Sequence, residues 1–135
     1  MRMLLNIDVP DLEAASRFYG QAFGWRKERR LGDAAIEMSG APLAVFLLEN
    51  AAGTCAHNGE ARRYSRHWTP LHCDIAVDDL RAVLERALDA GARREGDIRN
   101  EPFGRIVQLA DPFGHGWCLI EFNATGYDAI ITTHG

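Results

Sequence analysis

Residues 3–26 read MLLNIDVPDLEAASRFYGQAFGWR, and residues 71–93 read LHCDIAVDDLRAVLERALDAGAR. Laid over one another, both run from an alternating stretch through an aspartate into an apolar-periodic segment that ends at glycine. Leu4 falls on His72, Val9 on Val77, Asp11 on Asp79 and Leu12 on Leu80, and one deletion then brings Gly24 onto Gly91. The chain therefore repeats itself, and each copy carries a helix with one face to bury.

The first helix is predicted to start after Asp11, whose carboxylate accepts from backbone N–H groups left unpaired in the first turn, and to bury Leu12, Ala15, Tyr19, Ala22 and Phe23. Gly24 ends it. The second starts after Asp78 or Asp79 and sets Leu80, Val83, Leu84, Ala87 and Leu88 at helical spacing, with Gly91 suited to the left-handed conformation at its end. Strand-like segments follow each helix: AAIEMSG (34–40) and PLAVFLLEN (42–50) in the first half, GRIVQLADPFG (104–114) and HGWCLIEF (115–122) in the second. Ser39-Gly40-Ala41-Pro42 and Asp111-Pro112-Phe113-Gly114 read as turns between them. The expected layout is one domain: module one over about 1–50, a connecting loop over about 51–69, module two over about 70–123 and a tail over 124–135.

At 135 residues, 47 % of them apolar, the chain has the material for one core. Its 15 Lys+Arg nearly balance 19 Asp+Glu, which argues against a nucleic-acid partner, and no apolar run approaches the length of a membrane span. Cys55, Cys73 and Cys118 form an odd set without C-x-x-C spacing and read as reduced thiols of a cytoplasmic protein. Arg26, Lys27, Arg29 and Arg30 read as a solvated basic turn. In the connection, Arg62, Arg63 and Arg66 with Tyr64 and Trp68 suit a loop that closes over an anionic or aromatic ligand.

Strand alternation then sorts the polar residues. Leu5, Ile7 and Val9 share one face of the first strand, as Cys73, Ile75 and Val77 do in its counterpart, and these sets carry the helices. Asn6, Asp8, His72 and Asp74 are left on the opposite faces, which are expected to line a solvated cleft holding a small molecule.

The segments VPDLEAASRFYGQAFGW, AVDDLRAVLERALDAGA and ADPFGHGWCLIEF resemble the glyoxalase/bleomycin-resistance/extradiol-dioxygenase group, the vicinal oxygen chelate superfamily, over about residues 3–122. The resemblance implies an α+β fold of two tandem βαβββ modules, a curled mixed sheet around the cleft with helices on its outer face, and a homodimer. It also implies, in metal-dependent members, four ligands from the first and last strands of each module. Those positions fall here on Leu4, Leu47, His72 and Cys118, with Phe46 or Glu49 as alternatives to Leu47. Leucine has no donor atom, and a catalytic divalent ion needs about three protein ligands. His72 is therefore the one standard ligand, with Glu49 and Cys118 as partners if a metal binds.

Two function classes stay open. One is a protein that binds a small organic ligand without a complete metal site or other cofactor, with Asn6, Asp8, Asp74, Glu49, Cys118 and Trp68 as ligand contacts. The other is a lyase, isomerase or dioxygenase-like enzyme of the same superfamily that uses His72 as metal ligand or general base.

Overall fold

A computed structural model of the chain describes residues 1–133. Its backbone contacts divide into two units, Met1–Ser65 and Arg66–Gly135.

In the first unit β1 (Leu4–Val9) leads into helix α1 (Leu12–Phe23), followed by β2 (Arg26–Arg30), β3 (Ala35–Ser39) and β4 (Ala44–Glu49). The sheet order is β1-β4-β3-β2, with β1 parallel to β4 and the other pairs antiparallel. Asp11 caps the helix by accepting from the Ala14 N–H, and Gly24 closes it at φ +74°. The helix buries Leu12, Ala15, Phe18, Tyr19 and Ala22 against Ile7, Val9, Ile36, Met38, Val45 and Leu47. Phe18 joins that set unannounced by the sequence, while Phe23 is only half-buried.

Arg26–Arg30 is an edge strand, not the solvated turn expected of it. Pairing with β3 supplies its backbone partners, and its charges are compensated: Lys27 and Arg30 by Glu13, Arg29 by Glu37. A charged edge also discourages a further strand from adding on.

The second unit repeats the plan with β5 (Cys73–Ala76), α2 (Leu80–Asp89), β6 (Arg93–Arg94), β7 (Arg99–Glu101), β8 (Gly104–Ala110) and β9 (Gly116–Phe122). Here β5 runs parallel to β9, and β8 pairs with β9, β6 and β7. Asp79, and not Asp78, caps α2 through the Ala82 N–H. Leu80, Val83, Leu84 and Ala87 are buried, but Leu88 is 39 % exposed, so the short helix buries one residue fewer than its periodicity offers. Gly104, at φ +148°, lies so close to β9 that a Cβ would stand 2.1 Å from the Glu121 carbonyl oxygen, which admits only glycine.

The turn at Asp111 is held by a buried carboxylate. It accepts from Phe113 N at 2.8 Å, His115 N at 3.0 Å and Trp117 Nε1 at 2.9 Å. The tail forms one 3-10 turn, Gly126–Ile130, whose Tyr127 packs on Phe103 and Phe122 with ring centres 5.2 and 4.8 Å apart. Among the described residues no helix is long and apolar enough to cross a membrane.

Candidate functional site

In each unit the last strand and the helix start are tied by a glutamate. Glu49 Oε2 accepts from Leu12 N at 3.0 Å, and Glu121 Oε2 from Leu80 N at 2.8 Å. These carboxylates thus lie on the helix side of their sheets. Arg105 also donates to both Glu121 oxygens, at 2.8 and 2.9 Å, and the Leu80 N–H with this guanidinium holds the Glu121 carboxyl below the usual carboxylate range. The expectation that Glu49 contacts a ligand or metal is therefore corrected. It shares a strand face with Val45 and Leu47, and its Oε2 serves the helix start.

The register also decides which residue matches Cys118. Asn6 pairs with Phe46, and Asp74, its counterpart, pairs with Cys118. Phe46 is thus the equivalent position, while Leu47 is fully buried beneath α1.

On the open face of the first unit stand Asn6, Asp8, Phe46 and Leu48. Asn6 is exposed. Asp8 accepts from Arg62 Nε at 2.7 Å and Asn50 Nδ2 at 3.2 Å. Arg62 Nη1 also donates to the Cys55 carbonyl at 2.6 Å, and Cys55 bridges to Ala61, so the first part of the connecting loop is a small hairpin latched to Asp8. Tyr64 donates to the Asn50 carbonyl at 2.7 Å; burial, with the Asp8 charge adding to it, pushes its hydroxyl pKa up. The Arg62 cation expected to reach for a ligand is instead committed inside its own unit.

The second unit's open face is different. A cavity of about 170 Å³ lies there, lined by Arg66, Trp68, Thr69, His72, Glu95, Gln108, Gly116, Trp117 and Cys118. Arg66 makes a two-point contact with Glu95, Nε to Oε2 at 2.9 Å and Nη2 to Oε1 at 3.1 Å. Its guanidinium crosses Gly116 so closely that a Cβ there would stand 2.4 Å from Nη2. His72 Nε2 lies 3.6 Å from Asp74 Oδ1, and its imidazole is 67 % exposed. Gln108 Oε1 accepts from Arg99 Nη1 at 3.2 Å. Trp68 is 77 % exposed. Burial first, then the charge of Asp74 and a hydrogen bond to it, push the Cys118 thiol up to about 12, so it remains S–H at neutral pH.

Of the residues expected at the site, this cavity brings together His72, Cys118 and Trp68, with Asp74 beside them; Asn6, Asp8 and Glu49 belong to the first unit. Gln108, Glu95 and Gly116 were missed. The alternation in RIVQLA puts Gln108 on the face opposite Val107 and Leu109 and could have found it; nothing local marks Glu95.

A divalent ion does not fit the four positions that the resemblance assigns. Leu4 and Phe46 carry no donor atom, and Cys118 is a buried neutral thiol beside a carboxylate. Among the described residues no group of three or more His, Cys, Asp or Glu side chains stands close enough to hold a metal ion.

A family described as "Glyoxalase-like domain" matches residues 5–120. An uncharacterised protein of Mycobacterium bovis is 28 % identical over 142 residues, covering 96 % of this chain and 91 % of its own length. The fold is similar to that of a glyoxalase-related enzyme from Fulvimarina pelagi, with a TM-score of 0.68 at 21 % identity over 100 % of this chain and 99 % of that one. It is also similar to a mutant of the fosfomycin resistance protein FosX from Listeria monocytogenes, solved with Mn(II) and dihydroxypropylphosphonic acid. That likeness has a TM-score of 0.70 at 16 % identity over 93 % of this chain and 91 % of that one.

Proposed function

This chain belongs to the glyoxalase-like domain family, and we propose that it binds a small organic ligand in the pocket of its second unit without a complete metal site. The observation that carries this reading is the cavity on the open face of β5, β9 and β8, where an exposed tryptophan, an imidazole and an amide converge on a space of small-molecule size. Cys118, its S–H turned to Asp74, contributes shape, Asp74 lies beside His72, and Trp68 stands as the apolar wall. Asn6 and Asp8 do not line this pocket; they stand on the first unit's open face, where Arg62 engages Asp8. The protein is a cytoplasmic homodimer in this reading, supported by family membership and by three free thiols; its mass in solution tests the dimer.

The contact between His72 and Asp74 favours one second reading, a metal-free enzyme. Neutral His72 would accept a proton from carbon next to a ligand carbonyl and return it elsewhere, with Asp74 stabilising the imidazolium. Asp74 would then be a positioning residue.

Amide NMR with a library of small organic fragments tests the binding reading. Saturable shifts should cluster at Trp68, His72, Gln108, Gly116 and Cys118, and His72→Ala should weaken them. Shifts scattered over the surface, or none, would overturn it. Turnover of any bound carbonyl compound, lost in His72→Ala and reduced in Asp74→Asn with an altered pH profile, would select the enzyme.

A further inference from the structure

The hairpin at the start of the connecting loop has Asn58-Gly59 at its tip. Cys55 bridges to Ala61, Ala56 N donates to the Glu60 carbonyl at 2.7 Å, and Gly59 N donates to the Ala56 carbonyl at 2.9 Å. Gly59 takes φ +88°, a left-handed conformation that closes the turn and favours glycine. Of the five asparagines, Asn6, Asn50, Asn58, Asn100 and Asn123, Asn58 is the one followed by glycine.

That pair is set up to react within the chain. The side-chain amide carbon of Asn58 is an electrophile that the Gly59 nitrogen reaches by closing a five-membered ring. Gly59 has no side chain to shield its nitrogen, nothing lies within 4 Å of where a Cβ would stand, and both residues are exposed. Glu60 N donates to Asn58 Oδ1 at 3.1 Å, which polarises the carbonyl under attack. The Gly59 N–H is committed to Ala56, so the tip must open locally before the nitrogen can attack.

We propose that Asn58-Gly59 is a site of spontaneous isoaspartate formation, and that this modification unlatches the hairpin from Asp8. The Gly59 nitrogen bonds to Asn58 Cγ, the bond from Cγ to the side-chain nitrogen breaks, and ammonia leaves with the Gly59 proton, giving a cyclic imide. Water then opens the ring at either carbonyl. Opening at the backbone carbonyl leaves a free α-carboxylate and routes the main chain through Cβ and Cγ, one atom longer than before.

The longer tip breaks the register that joins Ala56 to Glu60 and Cys55 to Ala61. Arg62 depends on that register. Its backbone pairs with Thr54 and Gly53, each at 2.8 Å, and its guanidinium reaches the Cys55 carbonyl at 2.6 Å while Nε holds Asp8 at 2.7 Å. The modification therefore frees Asp8 in one direction only, because the lost ammonia does not return.

The test holds the full chain at pH 8 for weeks and separates the more acidic form by ion exchange. Peptide mass spectrometry should place the amide-to-acid mass gain at Asn58, with isoaspartate the larger product. Asn58→Gln, which would need a six-membered ring, should lose that acidic form, and Arg62→Ala, whose hairpin opens more often, should gain it several-fold faster. Brief trypsin treatment should cut the acidic form after Arg62 and Arg63 several-fold faster than fresh protein. An unchanged Asn58, or a mass gain confined to other asparagines, would overturn the modification. Equal trypsin rates, or no acceleration in Arg62→Ala, would overturn its link to the latch. Should Arg62→Ala fail to fold, Asp8→Asn weakens the same latch and takes its place.

Discussion

Asp111 shows how much one buried side chain can hold. Its carboxylate satisfies two backbone N–H groups and the Trp117 indole, so Asp111→Ala leaves three donors in a dry turn. The expected cost is about 3 kcal/mol in urea unfolding, the scale of a hydrogen-bonded buried charge. The sequence marked the turn by Asp-Pro-Phe-Gly, but the Trp117 contact depends on how β9 returns and was not legible. At Cys118 the raised thiol pKa gives a chemical prediction. At pH 8, iodoacetamide should modify exposed Cys55 much faster than buried Cys118, as peptide mass spectrometry would show, because only the thiolate reacts. Similar rates would mean that Cys118 is not held as S–H.

Each helix is fixed at its start by two carboxylates, one local and one distant. Asp11 was legible, and Asp79 as one of two adjacent candidates, because a side-chain cap acts within three residues. Glu49 and Glu121 were not, because their targets are reached only when the last strand lies parallel beside the first. Ion-pair and hydrogen-bonding partners lower the folded-state pKa of Glu121 from its usual 4.5. The ionised form therefore stabilises the fold: the contribution is complete above the usual value and is lost as pH falls through the lowered one. Glu121→Gln should lower the thermal midpoint at pH 7 and flatten its decline between about pH 5 and 3. An unchanged slope in scanning calorimetry would mean that the Glu121 contact contributes nothing to acid sensitivity.

A ligand that binds only the folded protein raises its melting temperature, whereas Leu4, Phe46 and the neutral Cys118 give a divalent ion too few donors. Millimolar Mn(II) should therefore shift the melting temperature by less than about 1 °C; a larger rise that His72→Ala removes would restore the metal reading. The sequence by itself determined the repeat, both helices with the Asp11 cap, the alternation of the paired strands and the family, because these depend on neighbours within a few positions or on periodic burial. Leu4 opposite His72 already showed that the two halves are not chemically alike. Tertiary structure decided the rest: that Glu49 serves a helix, that Phe46 and not Leu47 matches Cys118, and that Arg62 latches onto Asp8. It also placed Trp68, Gln108 and His72 around one space. Such choices turn on strand register and on contacts between residues far apart in sequence, which a one-residue slip would reverse.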